Sequence, residues 1–86
     1  MVDGNIKLKL SDEVRQRMLE RHISEDEIKQ VIQNAEATGR KAYQTDTNLY
    51  LASLWIDRAT FYVEYLIEDG TYSIVTTYAH RAEIKE

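Results

Sequence analysis

The stretch FYVEYLIEDGTYSIVTTY, residues 61–78, predicts two antiparallel strands joined by a tight turn. Asp69 and Gly70 form a dipeptide favoured in two-residue hairpin loops, because its backbone matches the natural twist of the strands. Both arms are rich in Tyr, Val, Ile and Thr, the residue types that favour strands. From Lys41 onward the chain is therefore predicted to form an antiparallel sheet.

The turn also predicts the register of the hairpin, because side chains alternate strictly between the two faces of a sheet. The predicted partners are Glu68 with Thr71, Ile67 with Tyr72, Tyr65 with Ile74, Val63 with Thr76, and Phe61 with Tyr78. One face is then nearly all apolar. A short turn after Ile56 adds Tyr50, Ala52, Leu54 and Ile56 to the same face. We expect this face to contact the helices.

The opposite face of the predicted sheet is apolar as well. Beside Ser53, Glu64, Ser73 and Thr77 it carries Leu51, Trp55, Tyr62, Leu66 and Val75. A sheet covered by helices on one side normally presents polar residues on the other. The five apolar side chains therefore indicate a surface that binds a partner or a second copy of the chain. The alternative is that a terminal segment or a self-contact covers them.

Two helices are predicted before the sheet. A strand in NIKLKL, residues 5–10, precedes Ser11, whose hydroxyl can cap a helix over about residues 12–22. The segment SEDE, residues 24–27, has the spacing of a capping box for a second helix, which Gly39 ends. The predicted fold is α+β in the order β-α-α-β-β-β(β), with both helices on one face of an antiparallel sheet. Residues 1–86 form one domain.

Composition excludes several classes of function. There is no Cys, which excludes disulfides, a thiolate nucleophile and cysteine-ligated metal sites. The two His residues show no metal-ligand spacing, and there is no glycine-rich phosphate loop. We therefore predict no metal and no cofactor. The net charge of −4 opposes the approach of nucleic acid. The short apolar runs predict neither a signal peptide nor a membrane span, so we expect a cytoplasmic protein.

One cluster could carry acid–base chemistry. Arg58, Tyr78, His80 and Arg81 combine a proton carrier with cations that could hold a phosphate. Alternation places His80 on the same face as Tyr78, which is the predicted core face. The alternative, which we favour, is that Tyr78 packs in the core, His80 covers its rim and Arg81 pairs with a carboxylate. This makes a catalytic role for the isolated chain the weaker hypothesis.

Two family resemblances add to this interpretation. The segment RQRMLERHISEDEIKQVI, residues 15–32, resembles a motif R-M-x-x-R-x-I-S-x-x-x-I of small bacterial proteins related to RelE-type toxins. The matching positions are Arg17, Met18, Arg21, Ile23, Ser24 and Ile28. The last strand, VTTY at 75–78, is similar too. This resemblance implies a RelE-like fold and, as an alternative function, RNA cleavage or RNA binding that uses residues among Lys41, Arg58, Tyr62, Tyr78, His80 and Arg81.

A second resemblance covers nearly the whole chain, through LSDEVRQRMLERHI, YLASLWI and YAHRAEI. It is similar to a small module found alone or at the end of flavin-dependent pyridine-nucleotide oxidoreductases of the glutamate synthase small-subunit type in anaerobic bacteria. The flavin and nucleotide sites of those enzymes belong to other domains. The resemblance implies a non-catalytic interaction module whose partner is itself or such a flavoprotein.

Overall fold

In the computed structural model, which describes residues 6–81, two helices lie against one face of a five-stranded sheet. The elements are β1 Lys7–Lys9, α1 Asp12–Arg21, α2 Glu25–Thr38, β2 Ala42–Gln44, β3 Leu49–Ile56, β4 Ala59–Glu68 and β5 Thr71–Arg81. The predicted α+β class and the predicted element order are confirmed.

Both helices begin at the predicted caps, and α2 ends at the predicted Gly39. The Ser11 hydroxyl accepts a hydrogen bond from the Val14 amide at 3.1 Å. At α2 the Glu27 amide donates to the Ser24 hydroxyl at 3.2 Å, and the Ser24 amide donates to the Glu27 carboxylate at 2.9 Å. Gly39 ends α2 in the left-handed region, with φ at 75°. Amides that a helix end would otherwise leave unpaired are therefore bonded by side chains.

The sheet is mixed, whereas the sequence predicted an antiparallel one. Its strand order is β1-β5-β4-β3-β2. Strands β2 to β5 form an antiparallel meander, but β1 lies parallel to β5 along Thr71–Ser73. The meander leaves one edge of β5 open and β1 pairs there, after which the two helices carry the chain across the sheet to β2 at the opposite edge. The sequence pattern of β1 shows a strand but does not reveal its partner.

The core lies between the helices and the face of the sheet that they cover, which we call the inner face. Its buried side chains are Val14, Met18, Ile23, Ile28, Val31, Ile32, Ala35, Ala52, Ala59, Phe61, Val63, Tyr65 and Ile74. Burial of each large aliphatic or aromatic side chain in this set contributes about 1.5–3 kcal/mol to folding. Tyr50, Leu54 and Ile56 pack partly buried against this core, which confirms the predicted inner positions of β3. Phe61, Val63 and Tyr65 of β4 are confirmed too, whereas Ile67 at its end is 39% exposed.

A β-bulge interrupts the predicted register of the hairpin. Pairing follows the prediction from the Asp-Gly turn to Tyr65 and Ile74. The next pair is Glu64 with Thr76, so Val75 has no partner on β4. An extra residue in one strand reverses the alternation of every side chain beyond it. From Thr76 to the end of β5, each side chain therefore lies on the face opposite to the predicted one.

The predicted faces of Thr76, Thr77, Tyr78 and His80 are wrong for this reason. Thr77, predicted on the uncovered face, pairs with Val63 and is buried in the core. Its hydroxyl donates to the Tyr62 carbonyl oxygen at 3.0 Å, so the buried oxygen is bonded. Tyr78, predicted opposite Phe61 on the inner face, lies opposite Tyr62 on the other face.

Arg21 connects α1 to the last strand. Its guanidinium Nη1 donates to the Thr77 carbonyl oxygen at 2.8 Å. Among residues 6–81, β1 covers the far edge of β5 only along Thr71–Ser73. A charged side chain bonded to an edge carbonyl blocks pairing with another strand, a common protection of sheet edges.

A row of tyrosines crosses the inner face near the end of α2. Tyr43, Tyr50, Tyr65 and Tyr72 come from β2, β3, β4 and β5, with ring centroids 4.8, 5.6 and 5.7 Å apart along the row. The Lys41 ammonium lies 4.4 Å from the centre of the Tyr50 ring, within the range of a cation–π interaction. The row therefore fills the part of the inner face beyond the aliphatic core.

Glu36 is the hydrogen-bond acceptor of this row. Its Oε2 accepts from the Tyr65 hydroxyl at 3.0 Å and from Lys41 Nζ at 2.5 Å. Burial, followed by the hydrogen bond to the Glu36 carboxylate, holds the pKa of Tyr65 above its usual range. Burial and the charge of Glu36 also raise the pKa of Tyr72. Both tyrosines are thus held neutral in the folded protein.

We expect the free energy of unfolding to fall as the pH rises above about 10, the pKa of an unfolded tyrosine. Above that pH the unfolded chain releases a proton that folded Tyr65 keeps, so the loss approaches about 1.4 kcal/mol per pH unit for this residue. Urea unfolding between pH 8 and pH 11 measures the slope, and Tyr65→Phe should reduce it. The matched control is the exposed Tyr43→Phe, and an unchanged slope in the Tyr65→Phe protein would contradict the assignment.

Candidate functional site

The face of the sheet turned away from both helices, which we call the outer face, carries the five predicted apolar side chains. Leu51, Tyr62 and Leu66 are half-buried by their neighbours in the sheet. Trp55 is 65% exposed, and Val75, at the bulge, is 43% exposed. No described element covers them. Trp55 lies diagonal to Tyr62 across the β3–β4 pair, and a tryptophan this exposed beside another aromatic ring is typical of surfaces that another molecule covers.

The bulge adds Tyr78 to this face, which sequence reasoning missed. The rings of Tyr62 and Tyr78 stack with centroids 4.8 Å apart and an interplanar angle of 16°. The next row of the sheet holds Trp55, Thr60 and His80. We call Trp55, Tyr62 and Tyr78 the aromatic corner. The bulged register pairs Tyr62 with Tyr78, whereas the regular register pairs Tyr62 with Thr77. Because aromatic cross-strand pairs stabilise a sheet, this difference is the sequence signal that could have revealed the bulge.

The indole N–H of Trp55 is already bonded within the chain. It donates to the Asp57 carbonyl oxygen in the turn between β3 and β4. Asp57 has a φ of 57°, so the turn bends back toward the ring. An apolar surface can therefore cover the indole without leaving a buried donor unpaired, which would oppose binding.

The four residues of the catalytic alternative are divided between two faces. Arg58 and Arg81 line a cleft of about 530 Å³ beside the first turn of α2, together with the carboxylate of Glu27. Tyr78 and His80 lie on the outer face, because they pair with Tyr62 and Thr60 there. His80 therefore shares the face of Tyr78 as predicted, but that face is the outer one and not the core face. The bulge between β4 and β5 causes this correction.

The cleft itself is nearly balanced in charge. Asp57 joins Glu27 among the residues that line it, opposite the two arginines. Lys41, another cation proposed for RNA binding, is bonded to Glu36 in the tyrosine row. Phosphate binding requires uncompensated positive charge. The cleft has two carboxylates for its two arginines, and Lys41 is paired with Glu36.

Within residues 6–81, no group of three or more His, Asp and Glu lies close enough to hold a metal ion. Neither described helix has the length and apolar character needed to cross a bilayer.

No family model, no curated protein and no solved structure matches this chain. The two resemblances therefore stay predictions. Several residues of the R-M-x-x-R motif have structural roles in this fold: Met18 is buried, Arg21 bonds Thr77, and Arg17 pairs with Glu13 at 3.1 Å. Such roles explain the motif without a catalytic requirement.

The absence of Cys allows a direct test of the register that builds the aromatic corner. In a protein with Tyr62→Cys and Tyr78→Cys the two thiols face each other, at a separation that a disulfide can bridge. We expect this pair to oxidise readily, as measured by mass spectrometry and thiol titration.

The matched control combines Tyr62→Cys with Thr77→Cys, the pair that the regular register would place together. This pair should stay reduced because its side chains lie on opposite faces. Preferential oxidation of the control pair would mean that the bulge is absent.

Proposed function

We propose that this protein is a non-catalytic interaction module that docks another protein through the outer face of its sheet. The single observation that carries the proposal is the aromatic corner, in which an indole 65% exposed lies beside a stacked tyrosine pair on a face that no described helix covers. Contiguous apolar surface of this kind is disfavoured in water. Its burial by a partner removes that penalty.

The chemistry of the corner suits protein recognition. Trp and Tyr are the residue types that contribute most to protein–protein binding, because they are large and lose few rotatable bonds on contact. The Trp55 N–H is bonded to Asp57, so desolvation of the ring leaves no unpaired donor. Trp55 is therefore proposed as the main anchor of the interface.

The proposed partner is a second copy of this chain or a flavin-dependent pyridine-nucleotide oxidoreductase of the glutamate synthase type in the cytoplasm. Support for the flavoprotein comes from the resemblance across LSDEVRQRMLERHI, YLASLWI and YAHRAEI. The chain has no glycine-rich phosphate loop, so in this proposal the flavin and the nucleotide bind to the partner. The module itself supplies a docking surface and no cofactor.

The alternative of a RelE-like endoribonuclease or RNA-binding protein has weaker support. It requires Arg58, Tyr78, His80 and Arg81 to act on one substrate, whereas the arginines line the cleft beside α2 and the other two lie on the outer face. The net charge of −4 also opposes approach to RNA. Docking therefore remains the better-supported function.

The test is the substitution Trp55→Asp, which places a charge at the proposed anchor. The wild-type protein is examined by sedimentation velocity alone and after mixing with a flavoprotein of the proposed class. Loss of an anchor residue weakens interfaces by at least about 2 kcal/mol, so we expect a loss of affinity of roughly 30-fold or more. Circular dichroism should show an unchanged fold, because Trp55 lies outside the core.

The matched control is Leu19→Asp on α1, because Leu19 is an exposed apolar residue on the helical side of the molecule. It should bind as the wild type does. Equal binding by wild type and Trp55→Asp would contradict the proposal, as would a complex lost only in Leu19→Asp. A wild-type protein that associates neither with itself nor with the flavoprotein would contradict it too.

A further inference from the structure

Glu64 occupies the centre of the outer face. Its strand, β4, is the third of the five strands in the sheet, and Glu64 lies midway along the ten residues of that strand. It pairs with Leu51 on one side and Thr76 on the other. Tyr62 and Leu66 flank it along β4, because outer-face residues alternate. Within the described chain, Glu64 is thus the only carboxylate at the middle of this face, and mainly apolar side chains surround it.

The described chain gives this carboxylate no cation. Among residues 6–81, Glu64 takes part in no ion pair. The lysines of the outer face are Lys7 and Lys9, and they belong to β1, which is separated from β4 by β5. Glu64 is half-buried by its neighbours, and water completes its solvation in the free protein.

A partner that covers the aromatic corner also covers Glu64. Three long strands and two three-residue edge strands give the outer face roughly 550 Å² at ordinary strand spacing and rise. A stable interface buries about 800 Å² on each partner. The whole outer face is therefore needed, and its centre becomes the dry part of the interface. A carboxylate buried there opposes binding strongly unless a cation pairs with it.

On this basis we propose that the docking partner is a different protein whose contact surface is apolar with one central cation, an arginine or a lysine, that pairs with Glu64. The inference rests on the proposed docking function. Arginine suits the position better than lysine, because its planar guanidinium binds a carboxylate through two parallel hydrogen bonds and is more easily desolvated.

The same geometry disfavours a second wild-type copy as the occupant. In a two-fold dimer the same surface patch contacts itself, so the residue at the centre of the patch lies close to its own counterpart. Full face-to-face packing of two sheets would bring two Glu64 carboxylates together in a dry interface. Repulsion between these two carboxylates would strongly weaken such a dimer.

It also disfavours single-stranded nucleic acid, which would otherwise suit a sheet with exposed aromatic residues. Bases would stack on the aromatic corner while phosphates passed near Glu64 and near Glu68 at the end of β4. Carboxylates at the middle and end of the platform repel the phosphate backbone.

The test uses a variant of this chain as the binding partner, because the shape of its outer face is known. In Glu64→Arg the outer face keeps its apolar residues and gains a central guanidinium. Wild type alone and Glu64→Arg alone should each remain monomeric, because each would place like charges together. Their mixture should form a one-to-one dimer, with an affinity at least about tenfold higher than the self-association of either protein. Sedimentation velocity measures all three samples.

The matched control is Glu68→Arg, which changes the net charge equally but at the end of β4. Its mixture with wild type should remain monomeric, and Trp55→Asp combined with Glu64→Arg should abolish the dimer. Circular dichroism verifies each fold, and Glu64→Lys replaces Glu64→Arg if the latter does not fold. A folded Glu64→Arg or Glu64→Lys protein that binds wild type no better than wild type binds itself would overturn the inference.

Two other outcomes would overturn the proposed central cation, and both differ from a failure of the outer face as a binding surface. A wild-type homodimer that Trp55→Asp disrupts would keep the docking surface but remove the need for a central cation. Salt-sensitive binding of a labelled oligouridylate by wild type, lost in Trp55→Asp, would assign the outer face to RNA instead. If Trp55→Asp changes no interaction at all, the proposed function itself fails.

Discussion

Two helices can cover only one face of this sheet, and both faces carry large apolar side chains. The inner face meets α1 and α2 and provides the core, with Tyr65 and Val63 fully buried at its middle. The outer face receives no described element, so its apolar residues contribute nothing to folding through helix packing. They remain in contact with water until another molecule covers them. The architecture that stabilises the domain thus also produces its candidate interface.

The bulge at Val75 decides which aromatic residues belong to that candidate interface. Without it, Thr77 would lie on the outer face and Tyr78 in the core. With it, a small hydroxyl residue bonds the Tyr62 carbonyl oxygen inside the molecule, and a second tyrosine ring stacks on Tyr62 outside. One inserted residue therefore moves apolar surface from the core to the outer face. Bulges are often found where a side chain must be redirected, which fits a functional role for this one.

The sequence predicted the features that depend on local interactions. The capping box at Ser24, the stop at Gly39 and the Asp69–Gly70 turn each depend on residues within a few positions, and all three are present. Non-local features were missed. Neither the parallel pairing of β1 nor the bulge has a local signature, because each reflects the best fit of a whole strand to its neighbours. The positions of Leu51 and Trp55 on the outer face were predictable because the pairing of β3 with β4 is regular. The position of Tyr78 on that face was not, because it lies beyond the bulge.

Trp55 is the only tryptophan, so its fluorescence reports on the outer face alone. The most direct test of the account is acrylamide quenching of this emission in the wild-type protein, from dilute to concentrated solution. The account predicts the strong quenching of a solvated indole at every concentration, because the face is uncovered in the free chain and Glu64 prevents self-association. Shielding that increases with concentration would show that a second copy covers the outer face, which would contradict the role of Glu64 but not the docking surface. A shielded indole in dilute solution would contradict the account as a whole.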